Sequence, residues 1–388
     1  MLNTWNLAPR QIKLPYGKVE TPQPTGAFAP KKLSVREFSG GTVDYSENMI
    51  VFTTLPPMNL DATLDDEPNN WTECILAGPV KRRILSTPGF PRSVEKTAGG
   101  KVNHRVRASP FGGLGVFATR PIRTGDLIVA ERPLLISPRG FEMRVESKGL
   151  TQAERIQVTM QEWEERLDVA VKRMTDENRK VFMALANSHT EDRSGPIQGI
   201  VRTNGYRVPG LYDGHEGDNT RAYTAVMNVM SRINHSCSPN TCHRFEMASL
   251  SFELRAIRDI RQGEELFYSY CDIFRTKIER AEELAPYGIV CACPACVGAT
   301  KETDLLRSEL AKRVEKIQAD HHVWMKDQSR PNVLAASLKL IAEIEKEGLS
   351  GAPSFTSLLG MVANVYVESD NMNSAMKYLD QFNNHCRA

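Results

Sequence analysis

Three short stretches concentrate the side chains able to do chemistry. Arg232-Ile-Asn-His-Ser-Cys-Ser-Pro-Asn240 sets an amide, an imidazole, a hydroxyl and a thiol at consecutive positions, Asn234 to Cys237. Pro239 then interrupts the run, because a residue without an N–H cannot serve a sheet interior. This is poor core material. Asn234 offers two donors and an acceptor and neutral His235 one of each, so burying them demands partners that an apolar core lacks. A ligand carrying a nucleobase would supply them. Cys291-Ala-Cys-Pro-Ala-Cys296 brings three thiols together at a spacing that wraps a tetrahedral ion with metal–sulfur distances of ~2.3 Å, and a fourth ligand is then needed. Cys237, Cys242 and Cys271 compete for that place. The last stretch, Gly263-Glu-Glu-Leu-Phe-Tyr-Ser-Tyr-Cys271, crowds Phe267, Tyr268 and Tyr270 onto one strand.

Composition narrows the classes. The chain has 388 residues, 41% hydrophobic and 25% charged, enough for a sizeable core and two or three folded units. A net charge of +2 and a pI near 8.1 give no support for phosphate neutralisation, and Lys81-Arg-Arg83 reads as a solvated turn, so no direct nucleic-acid binding is expected. Met1-Leu-Asn-Thr-Trp-Asn-Leu lacks the basic start and apolar run of a secretory signal. No stretch approaches the ~18 uninterrupted apolar residues of a membrane span. The expectation is a soluble intracellular protein, in the nucleus, the cytoplasm or both, whose eight cysteines stay reduced and favour metal over disulfides.

The elements that must position these stretches follow from pattern. Residues 1–103 hold 11 of the 22 prolines, a frequency that prevents long helices and central strands. Asn48 to Leu55 reads as one strand, Trp71 to Leu85 carries apolar residues to pack, and the rest reads as extended or disordered. From His104 short apolar strands alternate with glycine turns, through Phe111 to Ala118 and Asp126 to Pro133. Thr151-Gln-Ala-Glu154 is a capping box, and Ile156, Met160, Trp163, Leu167, Val171 and Met174 repeat at helical spacing behind it. A second helix is expected from about Glu177 to Ala186, strand character at Ile200 to Gly205, and helical spacing from Arg221 to Ile233. Leu250, Phe252, Leu254 and Ala256 alternate, which suggests two antiparallel strands around a turn near Ala248. Helices are expected at Leu305–Val314 and Val333–Ile344, with Gly348, Gly351 and Pro353 as a break before a helix pair from about Ser354.

Asn234-His-Ser-Cys-Ser-Pro-Asn240, the Gly-Glu-Glu-Leu-x-Tyr-x-Tyr pattern from Gly263 to Tyr270, and Gly113-Leu-Gly115 before Val116-Phe117-Ala118 resemble the SET-domain protein lysine methyltransferases, over about residues 104–298. Tyr270-Cys-Asp272, a helix with Arg280, Tyr287-Gly and the cysteine cluster are most similar to the branch that carries SET and MYND modules. A MYND finger needs a dense Cys/His set, yet between Leu134 and Ala222 there is no cysteine and only His189 and His215, so that finger is absent.

The resemblance implies an α+β protein with a β-rich SET fold. Its domains would be a Pro-rich extension at 1–103, the SET domain at 104–272 with a helical insert at about 135–220, a zinc-binding post-SET segment at 273–298, and tetratricopeptide-like helices at 299–388. The Asn234 segment and the Tyr270 strand would cross as a pseudoknot. It implies S-adenosyl-L-methionine held by backbone groups of Gly113, Leu114 and Gly115 and by Asn234, His235 and Tyr287. It implies a structural zinc on Cys237, Cys291, Cys293 and Cys296, with Tyr270 catalytic and Phe267 and Tyr268 lining the substrate channel. The implied reaction is methyl transfer to a lysine of a histone or another protein, with the carboxyl-terminal helices open to a protein partner. A cofactor-binding scaffold without activity and a zinc-dependent nucleic-acid adaptor are the rival classes. Intact Tyr270 argues against the first and near-neutral charge against the second.

Overall fold

Capping boxes at Thr151, Thr276 and Thr300 open three of the helices. The structure, a computed structural model, describes residue 43 and residues 49–57, 71–141, 149–192, 194–212 and 222–387. In order, the elements begin with β1 (Ile50–Leu55), β2 (Thr72–Ala77), α1 (Gly78–Leu85), β3 (His104–Ala108), β4 (Leu114–Ala118), β5 (Leu127–Glu131) and β6 (Leu135–Pro138). Next come α2 (Gln152–Arg173), α3 (Asp176–Met183), α4 (Pro196–Asn204), β7 (Tyr206–Tyr212), β8 (Ala222–Val226) and β9 (Asn234–His235). After them lie β10 (Thr241–Glu246), β11 (Ser251–Ala256), β12 (Phe267–Tyr268), α5 (Lys277–Leu284) and α6 (Pro294–Val297). The remaining helices are α7 (Lys301–Lys326), α8 (Leu334–Glu347), α9 (Pro353–Glu368) and α10 (Met372–Arg387). Strands and helices together make the α+β fold. Within residues 1–103 the expected strand is β1, and the apolar stretch after Trp71 becomes β2 and α1; residues 1–42, 44–48 and 58–70, read as extended or disordered, lie outside the described residues.

The chain divides into two compact units, each discontinuous in sequence. The first takes residues up to 95, 130–231 and 245–252; the second takes 96–129, 232–244 and 253 onward. In the first, a five-stranded sheet in the order β1-β2-β6-β8-β7 packs on α2, α3 and α4. Phe52, Ile75, Leu135 and Val226 of the sheet meet Trp163, Leu167 and Val171 of α2 and Phe182 of α3 in one buried cluster. The capping box at the start of α2 is formed: the Thr151 N–H donates to Glu154 Oε2 at 2.8 Å and the Glu154 N–H to Thr151 Oγ1 at 3.3 Å.

Two segments of this unit depart from the structure expected of them. Residues 200–204, read as a strand from Ile200 and Val201, lie in helix α4, which Pro196 opens at its first turn. A proline there is pre-set for helix, and packing on the core overrides β-branched preference. Residues 222–226, read as helical, form β8, buried at every position between β6 and β7. A strand covered on both faces has no polar alternation, so a chance spacing of Ala222 and Val226 mimics a helix.

In the second unit β3 and β4 form an antiparallel hairpin, pairing His104 with Ala118 and Ala108 with Leu114. The segment before β12 runs along β4: the Ala118 N–H donates to the Glu264 carbonyl at 2.9 Å and the Leu266 N–H to the Val116 carbonyl at 2.7 Å. Regular strand there is limited to Phe267–Tyr268, shorter than the expected Glu265 to Tyr270. Leu250, which belongs to the first unit, sits in the turn before β11 with φ at +50°, outside the alternation read from it. Helices α7 to α10 share a core of Leu310, Leu340, Ile344, Leu358, Leu359 and Val362. The break between α8 and α9 falls where expected, with Gly348 left-handed after α8 and Pro353 starting α9.

Candidate active site and metal centre

All three chemistry-bearing stretches lie in the second unit. β9 and β12 run parallel and side by side, with Asn234 opposite Phe267 and His235 opposite Tyr268. A two-residue pair is too short to hold itself, and the buried side chain of Asn240 extends it. Its Oδ1 accepts the Phe267 N–H at 2.7 Å, and its Nδ2 donates to the Glu265 carbonyl at 2.8 Å. Asn240 is a positioning residue, present in the motif read from the sequence but given no role there. The available signal was a polar residue straight after Pro239.

Asn234 Nδ2 donates to the Leu114 carbonyl at 3.1 Å and to Glu265 Oε1 at 2.8 Å. The other oxygen of the buried Glu265 accepts from Ser109 Oγ at 3.1 Å. Both amide donors of Asn234 therefore hold the glycine turn and Glu265 in place. A Cβ on Gly115 would sit 2.2 Å from Glu265 Oε1 and 3.1 Å from Asn234 Nδ2, so glycine here makes room for the carboxylate. Gly115→Ala is expected to expel Glu265 and destabilise the fold by about 1–3 kcal/mol, the range for stranding a buried polar partner. Denaturant unfolding measures it, and an unchanged midpoint would show that the carboxylate relocates freely.

His235 joins the aromatic cluster to the thiols. Its Nδ1 accepts the Tyr270 N–H at 3.0 Å, which leaves the proton of the neutral ring on Nε2, 3.3 Å from Cys237 Sγ. The Tyr270 hydroxyl donates to the Ile233 carbonyl at 2.6 Å. Its ring lies 5.4 Å from His235, 5.0 Å from Tyr268 and 5.7 Å from Tyr287, centroid to centroid. Burial first, then the Tyr287 hydroxyl and the Glu265 carboxylate, push the Tyr270 phenol above its ordinary range. It stays a neutral donor at any working pH. Phe267 points elsewhere, as strand alternation requires, and meets Phe111 edge-on at 5.8 Å in an open hollow of about 600 Å³.

Cys237, Cys291, Cys293 and Cys296 place their Sγ atoms within 4.8 Å of one another. The Cys237 Sγ atom lies 3.5 Å from that of Cys296 and 4.0 Å from that of Cys291, distances that bracket the ~3.8 Å edge of a tetrahedron with ~2.3 Å metal–sulfur bonds. Pro294 opens α6 immediately after Cys293, and the Cys296 and Val297 N–H groups fold back onto the Cys293 carbonyl at 2.9 and 3.0 Å. That turn brings the paired thiols together. Arg280, fully buried, aims Nη2 at Cys296 Sγ from 3.9 Å, a cation where a cluster of thiolates would need one. The donor set can hold a metal ion. Of the rival fourth ligands, Cys242 lies outside this set, while Cys271 forms an overlapping set with His235 and Cys237.

A protein-family model described as the SET domain matches residues 113–271. The chain contains a SET domain. Histone-lysine N-methyltransferase set5 of Schizosaccharomyces pombe (strain 972 / ATCC 24843) is 28% identical over 213 residues, 54% of this chain and 56% of that protein. N-lysine methyltransferase SMYD2-B of Danio rerio is 33% identical over 94 residues, 24% of this chain and 21% of its own. Histone-lysine N-methyltransferase SMYD3 of Mus musculus is 36% identical over 105 residues, 24% of each. This chain spans little more than half the length of the first relative and about a quarter or less of the others.

The SET match takes in Gly113, Leu114, Gly115, Asn234, His235, Cys237, Phe267, Tyr268 and Tyr270, and ends before Tyr287 and Cys291. Folding nevertheless sets Tyr287 beside Tyr270 and the three later cysteines around Cys237. Phe267 alone of the named rings stands apart from the tyrosine cluster.

Proposed function

We propose that this chain is an S-adenosylmethionine-dependent protein lysine methyltransferase that works in the nucleus or cytoplasm. No helix among the described residues is long and apolar enough to cross a membrane. Gly113, Leu114, Gly115, Asn234, His235 and Tyr287 would hold the cofactor. Bound there, it would supply a methyl group on a sulfonium, open to in-line attack by an amine. Cys237, Cys291, Cys293 and Cys296 would hold a structural zinc ion, which ties the post-SET segment to the Asn-His run.

The chain's own part is chiefly positioning. The lysine nucleophile must be neutral although its free pKa is about 10.4, and a narrow aromatic channel disfavours the ammonium. Tyr268, Tyr270 and Tyr287 supply such walls without adding charge. The observation that carries the reading is the Tyr270 phenol, kept neutral and aligned on the Ile233 carbonyl. A hydroxyl and a carbonyl held at one point can orient an amine and a polarised methyl group without taking a proton.

The test is transfer of labelled methyl from S-adenosylmethionine to a cell extract, followed by mass spectrometry of the modified residue. Label on lysine is expected. Zinc-loaded protein that binds cofactor and labels nothing would reduce the chain to a scaffold.

A further inference from the structure

Arg307 on α7 is fully buried, a rare place for an arginine, and its guanidinium gathers three stretches distant in sequence. Nη1 donates to the Cys237 carbonyl at 3.2 Å and to the Ile273 carbonyl at 2.8 Å. Nη2 donates to the Glu347 carbonyl at 2.9 Å and to its carboxylate at 3.2 Å. Cys237 belongs to the thiol set, Ile273 follows Tyr270 by three residues, and Glu347 is the last residue of α8.

A second set of contacts reinforces the same junction. Ser238 Oγ donates to the Glu347 carbonyl at 2.7 Å, and a Cβ on Gly348 would come within 2.4 Å of Ser238 Cβ. The end of α8 is thus pressed against the residue that follows Cys237. A buried cation is expensive, and an apolar side chain of similar length would fill the same space at less cost. What the apolar chain lacks is a fork of donors that fixes two site backbones at once.

We infer that Arg307 is a positioning residue for the metal and transfer centre, and that the carboxyl-terminal helices form part of the site's frame. The inference rests on the zinc and methyltransferase reading above. The direction of a cysteine's Cα–Cβ bond follows from its backbone, so anchoring the Cys237 carbonyl restricts Sγ to the few staggered positions about that bond. Anchoring Ile273 limits the chain that leaves Tyr270. Groups that orient ligands in this way are worth 10–100-fold in metal affinity.

The test uses the full zinc-loaded chain and the rate at which a chromophoric chelator strips the metal. Arg307→Met is expected to strip at least ~10-fold faster than the parent. Leu359→Ala, which opens a cavity in the α7–α10 core, serves as the control matched for loss of thermal stability, and it should strip at the parental rate. Should Arg307→Met fail to fold, Arg307→Lys keeps the charge without the fork and must still strip faster than the parent. Parental stripping rates in the Arg307 variants, or equal acceleration in Leu359→Ala, would overturn the inference, as would a parent purified without zinc. A parent that holds zinc, shows these differences and transfers no methyl leaves this inference standing and faults the activity alone.

Discussion

Tyr270→Phe is expected to lose at least ~10²-fold in methyl transfer, about 2.7 kcal/mol of barrier, while cofactor affinity moves far less. The phenylalanine ring keeps its place among His235, Tyr268 and Tyr287, so the walls stay apolar. What disappears is the hydroxyl 2.6 Å from the Ile233 carbonyl. An interaction made mainly in the transition state lowers kcat and kcat/KM together and leaves ground-state binding nearly unchanged. Steady-state rates on a confirmed substrate, with calorimetry of S-adenosylmethionine binding, separate the two. Near-parental transfer by this variant would remove Tyr270 from the mechanism and make Tyr268, its ring neighbour, the next candidate. Because the phenol is pushed upward, the rise of activity with pH should follow the substrate amine, and its lower limb should look the same in Tyr270→Phe.

Cys293→Ser should abolish metal binding in a protein whose parent carries about one equivalent of zinc. A hydroxyl is a far poorer ligand than a thiolate, and the remaining Sγ atoms, gathered within 4.8 Å, lose the ion that offsets their mutual repulsion. The damage should travel through His235, which touches Cys237 on one ring nitrogen and the Tyr270 N–H on the other. Cofactor affinity is therefore expected to fall by at least ~10-fold, in the range seen when groups around a metal are disturbed. Cys242→Ser should keep the metal, since Cys242 lies outside the set. Elemental analysis of protein purified without chelator decides the matter: a metal-free parent, or zinc retained by Cys293→Ser, counts against the site.

Much of this was legible from residue types. The capping box at Thr151 and Glu154 announced α2, because one face of that helix meets water and the other the core, so its periodicity survives in sequence. The Gly348 and Pro353 punctuation located the break between α8 and α9 for an equally local reason, the left-handed conformation after one helix and the pre-set φ at the start of the next. The thiol spacing from Cys291 to Cys296 marked a cluster able to hold a metal ion, since a turn opened by Pro294 is enough to bring those side chains together.

Where burial was complete or nearly so, pattern failed. β8 has no exposed face to print an alternation, and α4 carries β-branched residues that packing tolerates. Residue types alone supply the donors: which amide, ring, phenol and thiols exist, and that they suit a nucleobase, an amine and a soft metal. Folding chose their partners. Asn234 turned its amide toward Leu114 and Glu265, and His235 turned its ring to Tyr270 and Cys237. Asn240 and Arg307 took their posts by bonding to main-chain groups of Glu265, Phe267, Cys237, Ile273 and Glu347. Every residue carries a carbonyl, so an acceptor on the main chain leaves no mark in residue identity, and only the fold says which one a side chain will reach.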